Sequence, residues 1–225
     1  MTKNILTIII NIVVMASLYS TAAIADDFYA YAILDKDRNE HTVLNIPKSS
    51  VSKYAGWQYQ RNGRASIQVW YPSLQDKVSY NYFISTPEEK AAAETKPTSE
   101  DRQLSISIGW DPITPPDATL DVANMPVYCD INGHKSYKAD GTRGTFRRYI
   151  NSSRGSASLN IIYLPVEPIK GVYCMACVEN ANCQLFGVTD SSIPYRAFYD
   201  EKQMPDEALA IHQAVGKYLD SKTVK

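Results

Sequence analysis

Four cysteines, Cys129, Cys174, Cys177 and Cys183, have the clearest chemical potential in this sequence. Cysteines with such spacing could form disulfides, bind zinc or carry out thiol exchange. A redox motif needs its first cysteine at the start of a helix, which lowers the thiol pKa, but residues 178–182 form a poor helix sequence. A four-thiolate zinc site needs two short paired spacings, and Cys129 stands far from the other three. We therefore interpret all four as members of two structural disulfides.

The pairing of these cysteines is left open by the sequence, since four cysteines allow three connectivities. Residues 172–174 and 183–186 have the composition of two strands around an asparagine-rich loop. Such a hairpin would place Cys174 opposite Cys183 and would leave Cys177 for Cys129.

The sequence contains no complete set of catalytic or metal-binding residues. The three histidines, His41, His134 and His212, lie far apart and in no metal-ligand spacing. His212 falls within an amphipathic segment, where a boundary side chain is the simpler interpretation. The serines of residues 154–158 lack the second glycine of a nucleophile elbow. We predict no catalytic residues, no metal site and no cofactor.

A basic segment between residues 130 and 154 stands out in a chain that is otherwise acidic. Its basic residues are Lys135, Lys138, Arg143, Arg147, Arg148 and Arg154, against Asp130 and Asp140. Arginine and aromatic side chains are enriched at interface hot spots, and loops often carry binding function. We predict partner contacts here from Arg143, Phe146, Arg147, Arg148 and Tyr149. The alternative is a solvated surface without a partner.

The N-terminus is typical of a secretory signal peptide. Lys3 precedes an apolar run over residues 5–19, and small residues follow up to Ala25, immediately before Asp26. The run is shorter than the roughly 20 residues of a spanning helix. We expect cleavage after Ala25, a mature chain of residues 26–225 in the periplasm, and no stable membrane insertion. An oxidising compartment also favours disulfides.

Composition excludes several classes of protein. The chain has 225 residues, with 23 Lys+Arg against 24 Asp+Glu. Its net charge of −1 therefore creates no positive electrostatic field that would attract nucleic acid. Its 16 tyrosines and 12 prolines favour strands and turns over helical bundles. The length fits one β-rich domain after the signal peptide.

The elements that would position these residues are mostly strands. Alternation predicts a hairpin from residues 28–34 and 42–44, and strands over residues 65–71, 78–84 and 104–108. Asn62 and Gly63 predict a tight hairpin turn. Thr86, Pro87 and Glu89 predict a capped helix start, and residues 206–222 form an amphipathic helix. We predict an α+β fold: mainly antiparallel sheet, a C-terminal helix packed on it, and disulfide staples.

A resemblance covers most of the mature chain. The segments that carry it are residues 45–48, 69–74, 104–108, 173–183 and 195–199, followed by the closing helix. In this order they resemble small exported bacterial proteins associated with type VI secretion, which protect cells against delivered toxins such as lipases. The resemblance implies a periplasmic protein that binds and occludes an effector. Cys129 and Cys177 depart from the two-cysteine pattern of that group.

The sequence thus predicts a non-enzymatic periplasmic binding protein, an immunity protein that neutralises a secreted antibacterial effector. A protein partner is expected, and the sequence does not specify an oligomeric state. Two alternatives remain: an exported hydrolase with a dispersed active site, and a module of cell-envelope assembly or adhesion.

Overall fold

Strands account for more of the described residues than helices do. A computed structural model describes residues 27–34, 40–51, 65–81, 83–108, 129–132, 136–153, 159–179, 181–200 and 204–224. The strands are β1 (Phe28–Leu34), β2 (Glu40–Pro47), β3 (Ala65–Tyr71), β4 (Gln75–Asp76), β5 (Arg102–Ile108), β6 (Tyr137–Arg143), β7 (Phe146–Asn151), β8 (Ile161–Pro165), β9 (Val172–Cys177), β10 (Asn182–Val188) and β11 (Pro194–Asp200). The helices are α1 (Pro87–Glu94) and α2 (Met204–Lys222). The predicted signal peptide, the predicted Asn62–Gly63 turn, His134 and residues 154–158 lie outside the described residues.

Nine of the described strands form one antiparallel sheet in the order β4-β3-β5-β11-β10-β9-β8-β7-β6. The β1 and β2 strands form a separate antiparallel hairpin, which confirms the hairpin predicted there. The predicted fold class, a mainly antiparallel sheet with a C-terminal helix, is confirmed. Among the described residues, no helix combines the length and the apolar character that crossing a bilayer requires.

One face of the sheet, the α2 face, packs against α2. Alternate residues of the strands, among them Ile106 and Leu185, share a buried cluster with Ile211, Val215 and Leu219 of the helix. These helix positions recur every three to four residues, which places them on one side of α2. The amphipathic C-terminal helix predicted from the sequence is confirmed, and it begins at Met204.

The opposite face, the α1 face, carries a second buried cluster that includes Ile162, Cys174 and Phe186. The α1 helix lies on this side at the β3 end of the sheet. Trp70 follows Val69, a residue of the α2 face, in β3, so the Trp70 side chain points to the α1 face. The Lys77 ammonium lies 5.1 Å from the Trp70 ring centroid. The same Lys77 Nζ lies 3.0 Å from Glu94 Oε1 of α1.

The predicted start of α1 is confirmed in detail. The Glu89 amide donates to Thr86 Oγ1 at 3.2 Å, and the Thr86 amide donates to Glu89 Oε2 at 2.8 Å. This reciprocal pair is a capping box. Pro87 occupies the first turn, where its missing amide hydrogen costs no intrahelical bond.

The strand predicted over residues 78–84 is wrong. The β4 strand ends at Asp76, and the Ser79 amide then donates to the Ser49 carbonyl at 2.7 Å. At Asn81, side-chain hydrogen bonds take over: the Phe83 amide donates to Asn81 Oδ1 at 3.0 Å, and the Asn81 amide donates to Ser85 Oγ at 3.2 Å. Asparagine and serine side chains compete with a strand ladder in this way, so the alternation here does not reflect a sheet.

All four cysteines form disulfides, but the hairpin pairing suggested by the sequence is wrong. The bonds are Cys129–Cys174 and Cys177–Cys183. The β9 strand continues to Cys177, so the register places Cys177, rather than Cys174, opposite Cys183. Cys174 and Cys177 are three positions apart and therefore point to opposite faces of the sheet. One disulfide lies in each buried cluster.

A buried tyrosine in β1 gives a test of the core. The Tyr31 side chain is 4% exposed, and its hydroxyl has no hydrogen-bond partner among the described residues. Burial, with a smaller contribution from Tyr29, raises the pKa of Tyr31 to about 12. By contrast, the Tyr218 hydroxyl donates to Asp76 Oδ1 at 2.6 Å.

We expect Tyr31→Phe to leave the free energy of unfolding unchanged or to raise it, because the change removes a buried hydroxyl that makes no bond. Tyr218→Phe should lower it by about 2 kcal/mol, because it removes a hydrogen bond to a carboxylate. Urea unfolding of both variants checks this. A larger loss for Tyr31→Phe than for Tyr218→Phe would contradict it.

Candidate partner-binding surface

The five residues predicted to contact a partner lie on the β6–β7 hairpin, and β6 is an edge strand of the sheet. Consecutive side chains of a strand point to opposite faces, so the five cannot form one surface. Arg143 pairs in register with Phe146, and Arg148 with Tyr163 of the α2-face cluster. Arg147 pairs with Leu164, which packs with Tyr149 against the α1-face cluster. The set is thus divided between the two faces.

On the α2 face, the hairpin is engaged in internal contacts. Arg143 Nη2 donates to Asp206 Oδ2 of α2 at 2.8 Å, and this bond raises the pKa of Arg143. Arg148 forms an ion pair with Asp140 of the neighbouring strand. Phe146 is fully buried, so its inclusion among surface contacts was wrong: as the first residue of β7 it points into the core. Internal acids thus offset two of the arginines in the basic segment.

The other two members of the set, Arg147 and Tyr149, lie on the α1 face. Arg147 is exposed, and Tyr149 is half-buried against the second cluster. Neither forms an ion pair with a described residue. An exposed arginine beside a partly buried tyrosine supplies charge and apolar area together.

Sequence reasoning missed the most exposed apolar side chains of the described chain. Phe83 is 80% exposed and Ile84 is 81% exposed. They occupy the turn between Asn81 and the start of α1. The signal for this turn was present in Asn81 and Ser85, whose side chains hold it, directly before the capping Thr86. The wrong strand over residues 78–84 concealed it.

A groove of about 440 Å³ lies where β3, β5, β11 and the start of α2 meet. Its lining includes Tyr71, Arg102, Tyr199 and Glu207. Arg102 Nη1 lies 3.9 Å from Glu207 Oε1, and the Tyr71 and Tyr199 rings meet edge to face at 5.8 Å. Burial raises the pKa of both tyrosines, so both are neutral at pH 7. The groove offers hydrogen bonds and charge to a bound group.

A buried carboxylate fixes the loop that borders this groove. The Ser73 amide donates to Asp101 Oδ1 at 2.9 Å, and the Thr98 amide and hydroxyl each donate to Asp101 Oδ2 at 3.0 Å. Burial alone would raise the pKa of Asp101, but these hydrogen bonds outweigh it and hold the pKa below its usual range. The charged form therefore stabilises the folded state.

We expect Asp101→Asn to lower the free energy of unfolding by about 2 kcal/mol near neutral pH. A depressed carboxyl pKa stabilises the fold above the unfolded-state value of about 4, and this contribution is lost as the pH falls through the folded value. The difference between wild type and variant should therefore shrink in acid. Urea unfolding near pH 7 and pH 3 checks this, with Asp190→Asn, at a largely exposed carboxylate, as the control. An unchanged difference at the two pH values would contradict it.

His212 lies in a half-buried structural contact, in agreement with its interpretation as a boundary side chain. Its Nδ1 lies 2.6 Å from the hydroxyl of Tyr195, a fully buried side chain. Burial lowers the pKa of His212, although Asp190 and the Lys170 backbone oppose this, and burial raises the pKa of Tyr195. Within the described ranges, no group of three or more side chains could hold a metal ion.

No protein-family profile matches the chain, and no curated protein matches it in sequence. Among solved structures, an antiparallel fold of this kind is found in an immunity protein of a bacterial secretion system. That protein is Smlt3025, from the Stenotrophomonas maltophilia type IV secretion system, with a TM-score of 0.52 and 11% identity. The match covers 88% of this chain and 95% of Smlt3025. At such low identity the likeness concerns the fold.

Proposed function

We propose that this chain is a non-enzymatic immunity protein that binds and neutralises a secreted antibacterial effector. The observation that carries the proposal is the fold likeness to Smlt3025, an immunity protein, over nearly the whole length of both chains. The resemblance seen in the sequence supports the same role independently. That resemblance concerns type VI secretion, whereas Smlt3025 belongs to a type IV system, so the proposal covers the immunity role and not the delivery system.

We further propose that the protein acts in the periplasm, as a single domain of residues 26–225 after removal of the signal peptide. The two disulfides support this location, since such bonds persist in oxidising compartments and are rare in the cytosol. An effector that acts in the periplasm would be met there by its inhibitor.

Within this role, we propose that Arg147 and Tyr149 of the hairpin contact the effector. Their side chains share the α1 face, where Arg147 is exposed and Tyr149 is half-buried. Arg143 and Arg148 point to the other face, where they form ion pairs with Asp206 and Asp140.

An affinity pull-down tests the proposed function. Mature protein, residues 26–225, is immobilised in oxidised form and exposed to periplasmic extract of a strain that expresses the neighbouring genes. We expect it to retain one toxic protein, identified by mass spectrometry, whose purified activity falls to zero at a stoichiometric ratio. If the products of the neighbouring genes are not retained, or are retained without loss of activity, the immunity role is wrong.

A further inference from the structure

We infer that the Phe83–Ile84 turn is the apolar anchor on which the effector docks. This inference rests on the proposed function and names the surface that performs it. The two side chains are adjacent, large and about four-fifths exposed. Single exposed apolar residues are common, but a pair presented together by a fixed turn is a feature of interaction sites.

The turn is held by its own hydrogen bonds. The Phe83 amide donates to Asn81 Oδ1 at 3.0 Å, and the Ser85 amide donates to the Asn81 carbonyl at 2.9 Å. The Asn81 amide donates to Ser85 Oγ at 3.2 Å. These bonds fix the backbone of Phe83 and Ile84 before any partner arrives, so little backbone order must be gained on binding.

Both ends of the turn are anchored to the body of the protein. Upstream, Lys77 is 1% exposed and lies between Glu94 and the ring of Trp70, and Ser79 is 2% exposed. Downstream, the capping box of Thr86 and Glu89 leads directly into α1. The turn is therefore a rigid projection, which an anchor residue requires.

The turn precedes α1, and the hairpin residues lie toward the other end of the sheet. The α1 helix lies on the α1 face beside β3, and Arg147 and Tyr149 lie on that face along β7. Six strand spacings separate β3 from β7, which is about 30 Å. Adjacent strands of a sheet are rotated by about 20° relative to one another, so the two places face different directions and each is tested on its own.

Two acidic residues lie beside the turn. Exposed Glu88 and Glu89 follow it in the first turn of α1. The matching surface is an apolar pocket of a protein with a basic rim. An anionic bilayer would instead be repelled by these carboxylates.

The test measures, by calorimetry, the binding of the purified toxic protein retained in the pull-down to wild-type protein and to Phe83→Ala/Ile84→Ala. We expect the double variant to bind at least about thirtyfold more weakly, as for a hot spot, mainly through faster dissociation. Arg147→Ala/Tyr149→Ala should also weaken binding. The control Val224→Ala removes another exposed apolar side chain, 48% exposed, and should bind like wild type. Circular dichroism confirms that each variant is folded.

The outcomes separate the two proposals. If the wild type binds this effector and the Phe83→Ala/Ile84→Ala variant binds equally well, the anchor is wrong while the proposed function stands. If the wild type does not bind it, the proposed function fails, and the anchor fails with it. Binding to vesicles of phosphatidylethanolamine and phosphatidylglycerol tests whether the turn contacts a membrane instead. Retention by these vesicles that depends on Phe83 and Ile84, without effector binding, would overturn the inference in favour of a lipid surface.

Discussion

Replacing Cys129 and Cys174 together with alanine is expected to lower the free energy of unfolding by about 4 kcal/mol. The two residues are 45 positions apart, and a disulfide that closes so long a loop removes much entropy from the unfolded chain. Both side chains are also fully buried in the α1-face cluster. The variant is compared with wild type by urea unfolding under oxidising conditions.

The second disulfide is the matched control. Cys177 and Cys183 are only 6 positions apart, so the same entropy argument gives about 2 kcal/mol for its removal. A greater loss of unfolding free energy in Cys177→Ala/Cys183→Ala than in Cys129→Ala/Cys174→Ala would contradict this account.

The disulfide pairing can be determined by chemical cleavage of the chain. Met175 lies between Cys174 and Cys177, and Met125 and Met204 lie on either side of the cysteines. Cleavage of the unreduced protein at methionine should therefore release residues 126–175 and 176–204 as separate fragments, each with an internal disulfide. Either alternative pairing would keep the two fragments joined.

Gly187→Ala is expected to destabilise the protein by about 3 kcal/mol or more. A Cβ atom at this position of β10 would lie 2.5 Å from the Tyr195 hydroxyl oxygen and 2.8 Å from the Gly171 carbonyl oxygen. Tyr195 cannot move away easily, because its side chain is buried and its hydroxyl contacts His212. Overpacking a closed core forces backbone shifts or strained side chains.

Gly216→Ala provides the control for the same chemical change. A Cβ at Gly216, in α2, would meet nothing within 4 Å. Alanine favours a helix over glycine, so this variant should be more stable than wild type by about 0.5–1 kcal/mol. Thermal and urea unfolding of both variants test the contrast. A Gly187→Ala protein as stable as wild type would show that Tyr195 and Gly171 are not packed as described.

Local signals in the sequence predicted local structure well. The capping residues Thr86 and Glu89 and the apolar stripe of α2 each involve neighbours within a few positions, and both helices form where expected. The strand alternation likewise identified β1, β3 and β5. In these elements, side-chain spacing alone decides which face is buried.

The sequence did not predict the register in which strands pair. The disulfide pairing depends on where β9 ends, and extending that strand to Cys177 reverses the partner of Cys183. The predicted contact residues were likewise treated as one patch, although strand alternation divides Arg143, Phe146, Arg147, Arg148 and Tyr149 between two faces. The Phe83–Ile84 turn was hidden because its alternating pattern resembles a strand until the hydrogen bonds of Asn81 and Ser85 are considered.

The central claim, that this protein neutralises a secreted effector by binding it, is tested most directly by protection of living cells. The toxic protein retained in the pull-down is directed to the periplasm of a sensitive strain, alone or together with the full-length chain of residues 1–225. We expect growth arrest without the chain, full growth with it, and renewed arrest with the folded Phe83→Ala/Ile84→Ala variant. Growth arrest that persists in the presence of correctly exported, oxidised wild-type protein would contradict the immunity role.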